Sequence, residues 1–139
     1  FEESNLPIKP EWIMETPFSL DGGREAIKQL LYIGELPTVL ICGTDLHAIG
    51  AMHQCQLSGI PVPGRLSITG FDDIEFASAM TPGLTTVRVP MHGIGVQVAR
   101  AIVAIIDNEG TGEPLELETM IVERDSLRAL TDAETSSYC

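Results

Sequence analysis

Positive charge is scarce in this sequence. Eight Lys and Arg stand against twenty Asp and Glu, a formal net charge of −12 over 139 residues. The eight are Lys9, Arg24, Lys28, Arg65, Arg88, Arg100, Arg124 and Arg128, and they are scattered. Phosphate contacts need clustered cations, so this balance argues against nucleic-acid binding by the segment itself. Aromatics make up only 5%, which leaves Ala, Val, Ile and Leu to fill the core. Cysteine is sparse and odd in number: Cys42, Cys55 and Cys139. No CxxC pair occurs, so neither a disulfide framework nor a structural zinc is expected. The cysteines read as small hydrophobes plus a terminal thiol, which fits a reducing cytoplasm. No apolar run reaches membrane-spanning length and no signal peptide is visible. The chain opens on Phe1 rather than Met, which leaves an upstream leader open.

Catalytic signatures are also missing. There is no H-E-x-x-H, no P-loop and no G-x-G-x-x-G. Gly93-Ile94-Gly95 comes nearest, but it follows Pro90 and lacks the third glycine. No Ser or Cys sits in a nucleophile-elbow pattern. His47, His53 and His92 read as surface or core fillers. The sequence thus predicts no catalytic residue, no metal, no cofactor and no enzyme.

What is present is an alternation of strands and helices. At 44% hydrophobic and 20% charged, the composition suits one soluble domain. Phe1–Ile13, broken by Pro7 and Pro10, reads as a loop. Asp21 is a candidate N-cap for a helix with Ala26, Ile27, Leu30 and Leu31 at helical spacing, stopped by Gly34. Thr38–Gly43 is a continuous apolar run, as in a strand covered on both faces. A second helix spans about Leu46–Ser58. Leu66–Phe71 and Leu84–Val89 read as strands, separated by a turn at Thr81-Pro82-Gly83. Met91–Asn108 is the longest helical stretch, with Ile94, Val98, Ile102 and Ile105 on a wide apolar face. Glu109–Gly112 is a loop, Leu115–Val122 a half-exposed edge strand, and residues 131–139 a frayed tail. This order predicts an α/β fold with a mainly parallel sheet.

In open α/β sheets ligands bind past the carboxyl ends of strands. Thr44-Asp45 and Asp72-Asp73 stand there. Their carboxylates can accept two hydrogen bonds from sugar hydroxyls or ring N–H groups, or Thr44 or Asp45 can simply cap the next helix. Phe18, in a loop before the first helix, can stack on a sugar or purine or plug the core edge. A Mg²⁺ site from Asp45, Asp72 and Asp73 normally needs a nearby Lys as well, and Val39–Val89 contains none.

Two strand–helix units go further. Pro37-Thr38-Val39-Leu40-Ile41-Cys42-Gly43-Thr44-Asp45-Leu46-His47-Ala48-Ile49-Gly50-Ala51 resembles the segment P-T-A-h-h-x-x-N-D-x-h-A-h-G-A of the LacI/GalR transcriptional regulators. Leu57–Pro63, Leu66–Asp73, Thr81–Val87 and Ile121–Ser126 continue the match in order. The resemblance implies the C-terminal part of an effector domain of Rossmann-like, type I periplasmic-binding-protein fold. Residues 1–130 are then a partial effector-binding domain, and helix 91–108 belongs to an N-terminal lobe absent from this chain. That helix is expected to fold back on its own sheet or to be covered by another chain.

By the same resemblance, Phe18, Thr44, Asp72, Val89 and Met91 contact a sugar-like or nucleoside-like effector, and Asp45 is structural. Thr44 replaces a customary Asn, and Val89 offers no hydrogen bond. Ile49, His53, Gln56 and Met80 lie on a homodimer face, and operator DNA is reached only through a domain outside the chain. A periplasmic sugar-binding transport protein, which shares the two-lobed fold, is the alternative.

Overall fold

The computed structural model describes residues 8–107 and 117–131. The expected loop at Glu109–Gly112, the start of the strand expected from Leu115 and the tail beyond 131 lie outside the described residues. So do Cys139 and the first seven residues of the opening loop. After a 3-10 turn at Pro10–Trp12 the order is α1 (Leu20–Ile33), β1 (Val39–Ile41), α2 (Asp45–Leu57), β2 (Ser67–Asp72), α3 (Glu75–Ala79), β3 (Thr85–Arg88), α4 (Met91–Ile106) and β4 (Met120–Val122). The four strands form one sheet in the order β1-β2-β3-β4. The first three run parallel, and β4 runs antiparallel to β3. The predicted α/β class and mainly parallel sheet are what the chain adopts.

The helix ends follow from short polar side chains. α1 is capped by Ser19, whose hydroxyl accepts the Gly22 amide, and not by Asp21. Asp21 lies inside the first turn and pairs with Arg24 instead. Gly34 ends the helix in the left-handed conformation at φ 82°, which costs glycine little. α2 starts at Asp45, capped by Thr44, whose Oγ1 accepts the His47 amide. Capping is therefore one real role of Thr44.

The core lies between α1, α2 and β2. Ile27 and Leu30 of α1, Ala48, Ala51, Met52 and Cys55 of α2, and Leu66, Ile68 and Leu84 pack as one buried cluster. Small residues let the two helices approach closely. A Cβ on Gly50 would stand 2.0 Å from the Leu20 carbonyl oxygen.

β1 is shorter than the apolar run at 38–43 suggested, and Ile41 is 61% exposed. Among the described residues no strand pairs with its outer edge, so a continuous apolar run here marks an edge strand. The short α3 had no sequence signal of its own. α4 buries none of its residues: Ile102, Val103, Ile105 and Ile106 are each more than half exposed. It does not fold back on its own sheet.

The C-terminal segment is knitted to β2 and β3 by two side chains. The Ser126 hydroxyl donates to the Ile68 carbonyl and accepts the Thr85 amide. The Thr85 hydroxyl donates to the Arg124 carbonyl and accepts the Arg124 amide. Asp45, fully buried, ties the other layer. Its Oδ1 accepts the Thr86 hydroxyl at 2.5 Å and its Oδ2 the Ile74 amide at 2.8 Å. Asp45→Ala leaves a buried hydroxyl and a buried-side amide unpaired. It is expected to lower stability by about 3 kcal/mol, read as a fall in the urea midpoint with unchanged slope. A loss within about 0.5 kcal/mol would contradict the assignment.

Candidate functional site at the carboxyl ends of the parallel strands

β1, β2 and β3 point the same way, so the residues following them share one end of the sheet: Gly43-Thr44 after β1, Asp72-Asp73 at and after β2, Val89 after β3. Phe18 reaches the same end from the loop before α1, with its Cε1 3.9 Å from where a Gly43 Cβ would stand. The ring is 77% exposed, so it does not plug the core edge. Thr44, Asp72 and Val89 are half-buried, and Met91 is exposed at the start of α4.

The adjacent carboxylates at the end of β2 have opposite fates. Both residues have left-handed backbones, φ 114° for Asp72 and 57° for Asp73, a conformation that costs a non-glycine residue free energy. Asp73 is spent on structure. Its Oδ1 accepts Arg124 Nη2 at 2.7 Å and its Oδ2 accepts Arg88 Nε at 2.6 Å. Burial alone would push its carboxyl up, but the two guanidinium hydrogen bonds outweigh it and hold it below the ordinary value of 3.8. The Asp72 carboxylate accepts no hydrogen bond from the described residues. Burial, and then the Asp45 charge, push its carboxyl up from 3.8. Gly70 lets Asp45 sit this close: a Cβ there would stand 2.2 Å from Asp45 Oδ1.

A cavity of about 480 Å³ opens beside Phe18, lined by Trp12, Met14, Leu40, Cys42 and His47 among others. Burial first, then the nearby Cys55 and Asp45, push the Cys42 thiol up to about 12, so it is no nucleophile. His47 is not a mere filler. Its ring lies 5.3 Å from that of Phe18, and its nitrogens meet the Pro17 carbonyl and the Thr44 hydroxyl. The signal for this was its place three residues after the capping Thr44, where side chain and cap can meet. The Asp73 clamp left no local trace, because Arg88 and Arg124 are distant in sequence.

On the opposite side of α2, Ile49, His53, Gln56 and Met80 line a second cavity of about 480 Å³ together with Leu20, Arg24 and Thr81. The four residues predicted for a shared face are thus brought together. Of the five predicted for a ligand, Phe18 alone lines the cavity beside it; Thr44, Asp72 and Val89 stand at or after the ends of β1, β2 and β3, and Met91 begins α4.

A mostly parallel α/β unit with polar residues gathered past its strand ends is the architecture of a ligand-binding lobe. Residues 1–127 match the family model described as periplasmic binding protein-like domain, and the chain belongs to that family. The probable HTH-type transcriptional repressor ExuR of Bacillus subtilis is 36% identical over 130 residues, covering 93% of this chain and 39% of ExuR. The crystal structure of the Escherichia coli transcriptional repressor ascG superposes with a TM-score of 0.81 at 26% identity, over 92% of this chain and 46% of that one. The lac repressor dimer bound to operator and the anti-inducer ONPF gives 0.79 at 27%, over 83% and 40%. All three of these relatives are named as repressors. The chain spans about two fifths of the length of the curated relatives it matches. No helix among the described residues is long and apolar enough to cross a membrane.

The sign of the Asp73 effect is testable. A carboxyl lowered by folding adds stability above its ordinary value of 3.8, and that stability is lost as pH falls through the lowered folded value. Asp73→Asn is therefore expected to cost most near neutral pH, about 2–3 kcal/mol, with the gap to wild type closing under acid. Urea midpoints at several pH values check this, and a gap that widens under acid would reverse the assignment.

Proposed function

We propose that this chain is the effector-sensing and dimerisation portion of a LacI/GalR-type transcriptional repressor. One observation carries the reading. Among the described residues Asp72 holds a half-buried carboxylate without a hydrogen-bond partner at the end of a central strand, while its neighbour Asp73 is consumed by two arginines. A free carboxylate accepts two hydrogen bonds, which suits vicinal sugar hydroxyls or the ring N–H of a nucleoside-like ligand. Phe18 supplies an exposed aromatic face for stacking, Thr44 a short polar contact, and Val89 and Met91 an apolar border. The ligand class is a small sugar-like or nucleoside-like effector, and the chain acts as a sensor without chemistry of its own.

Ile49, His53, Gln56 and Met80 form the homodimer face, in keeping with the lac repressor dimer to which the chain is similar. Operator DNA is contacted through a domain outside this acidic segment, as the helix-turn-helix naming of ExuR suggests. The parent protein works in the cytoplasm, where the operator is. Effector binding biases the relative posture of two lobes, and that posture sets operator affinity. The comparisons favour this over a sugar-transport protein.

In the intact protein, Asp72→Ala is expected to abolish the change in operator affinity on titration with monosaccharides or purine nucleosides, with operator binding itself retained. Unchanged effector affinity would remove Asp72 from the site. On the other face, Ile49→Asp places a charge in an apolar contact and is expected to shift sedimentation of the intact protein from dimer toward monomer. An undisturbed dimer would move the interface elsewhere.

A further inference from the structure

His47 sits between two of the residues assigned above to the effector, Phe18 and Thr44. Its Nε2 is 2.5 Å from the Pro17 carbonyl oxygen, which also accepts the Ser19 amide at 2.7 Å. A carbonyl only accepts, so Nε2 carries a hydrogen. Pro17 immediately precedes Phe18, and the Phe18 ring rests 5.3 Å from the imidazole. Gly22 keeps room for this contact: a Cβ there would stand 3.1 Å from His47 Nε2 and 2.1 Å from the Pro17 oxygen. On the other side of the ring, Nδ1 is 3.4 Å from Thr44 Oγ1, which already accepts the His47 amide at 3.3 Å.

A threonine hydroxyl has one proton and two acceptor sites. With the ring neutral and Nε2–H present, Nδ1 is a bare acceptor and the Thr44 proton turns toward it. One Thr44 acceptor site is then left for a ligand. A proton from solvent on Nδ1 reverses this. Nδ1–H and the His47 amide occupy both acceptor sites, and the hydroxyl proton is free to point into the cleft.

We propose that His47 is the positioning residue of the effector cleft: its neutral ring seats the loop bearing Phe18 and makes Thr44 a hydrogen-bond acceptor for the ligand, and its protonation makes Thr44 a donor. The inference rests on reading Phe18 and Thr44 as effector contacts. The two protonation states of the ring therefore present opposite hydrogen-bond polarity at Thr44. The charged and titratable groups around the ring are few. Asp45, on α2 itself, is spent on Thr86 and Ile74. Asp21 and Arg24 on α1 pair with each other. Cys42 at the end of β1 stays protonated. Exposed Glu15, on the segment entering the cavity, lines the same space.

The test needs no effector, so it can fail while the cleft reading stands, and the Asp72→Ala experiment tests that reading separately. With ¹⁵N-labelled histidine, long-range ¹H–¹⁵N spectra of the chain at about pH 8 are expected to show His47 in the Nε2–H form. An Nδ1–H ring overturns the proposal. Thr44→Val is expected to move the Nδ1 resonance toward that of an unbonded nitrogen, whereas Thr44→Ser keeps it. An unmoved resonance in the Val variant overturns the polarity assignment. With 4-fluorophenylalanine incorporated, the Phe18 resonance, identified by Phe18→Leu, is expected to titrate with the midpoint of the His47 ring. In His47→Gln, whose amide N–H can still reach Pro17, the Phe18 signal is expected to stay at its high-pH position at every pH. A Phe18 resonance that ignores pH in wild type, or still titrates in His47→Gln, refutes the positioning role.

Discussion

The buried carboxylate of Asp45 is the constraint on which the carboxyl end of the parallel strands depends. It stands in the first turn of α2, where the helix dipole favours a negative charge. It reaches two other parts of the chain, the Thr86 hydroxyl on β3 and the Ile74 amide beyond β2. A charge removed from water must have its lone pairs filled, or it costs more than the fold can offset. That requirement fixes how α2 sits over the strand ends, and with it Thr44, His47 and the turn that follows β2. It also forbids a side chain at Gly70.

The same charge shapes its neighbours. Asp72 and Asp73 share an unusual backbone and are adjacent in sequence, yet only one meets cations. Arg88 approaches from β3 and Arg124 from beyond β4, so Asp73 joins the two segments that flank β3. Among the described residues Asp72 meets no donor; burial first, and then the Asp45 charge, raises its carboxyl. The division follows from the direction each side chain takes out of one strained turn. It lets a single dipeptide both hold the sheet together and keep an acceptor open.

The sequence was most legible where local chemistry and periodicity agreed. Gly34 ended α1, Pro90 preceded α4, and the order of strands and helices came through apart from the short α3. Where several side chains competed, it was less so. Ser19 rather than Asp21 caps α1, because the cap is decided by which oxygen reaches the Gly22 amide. The run at 38–43 suggested a covered strand, but apolar content cannot say whether a neighbour strand is supplied. Thr44 and Asp72 were readable as candidates because ligands of open α/β sheets bind past strand ends, and Phe18 as a loop aromatic. Their connection through His47 was not, since it depends on a ring spanning from α2 to a carbonyl thirty residues earlier.

The helix that leaves β3 has a mechanical consequence. α4 is 16 residues long, which at 1.5 Å per residue makes a rigid arm of about 24 Å. Its root, Met91, lies three residues beyond Arg88, the residue gripped by Asp73 next door to Asp72. A rotation of about 5° at that root carries the far end through about 2 Å, the size of step at which packed interfaces switch arrangement. Small adjustments around one carboxylate are thereby magnified into a displacement that a distant surface can register.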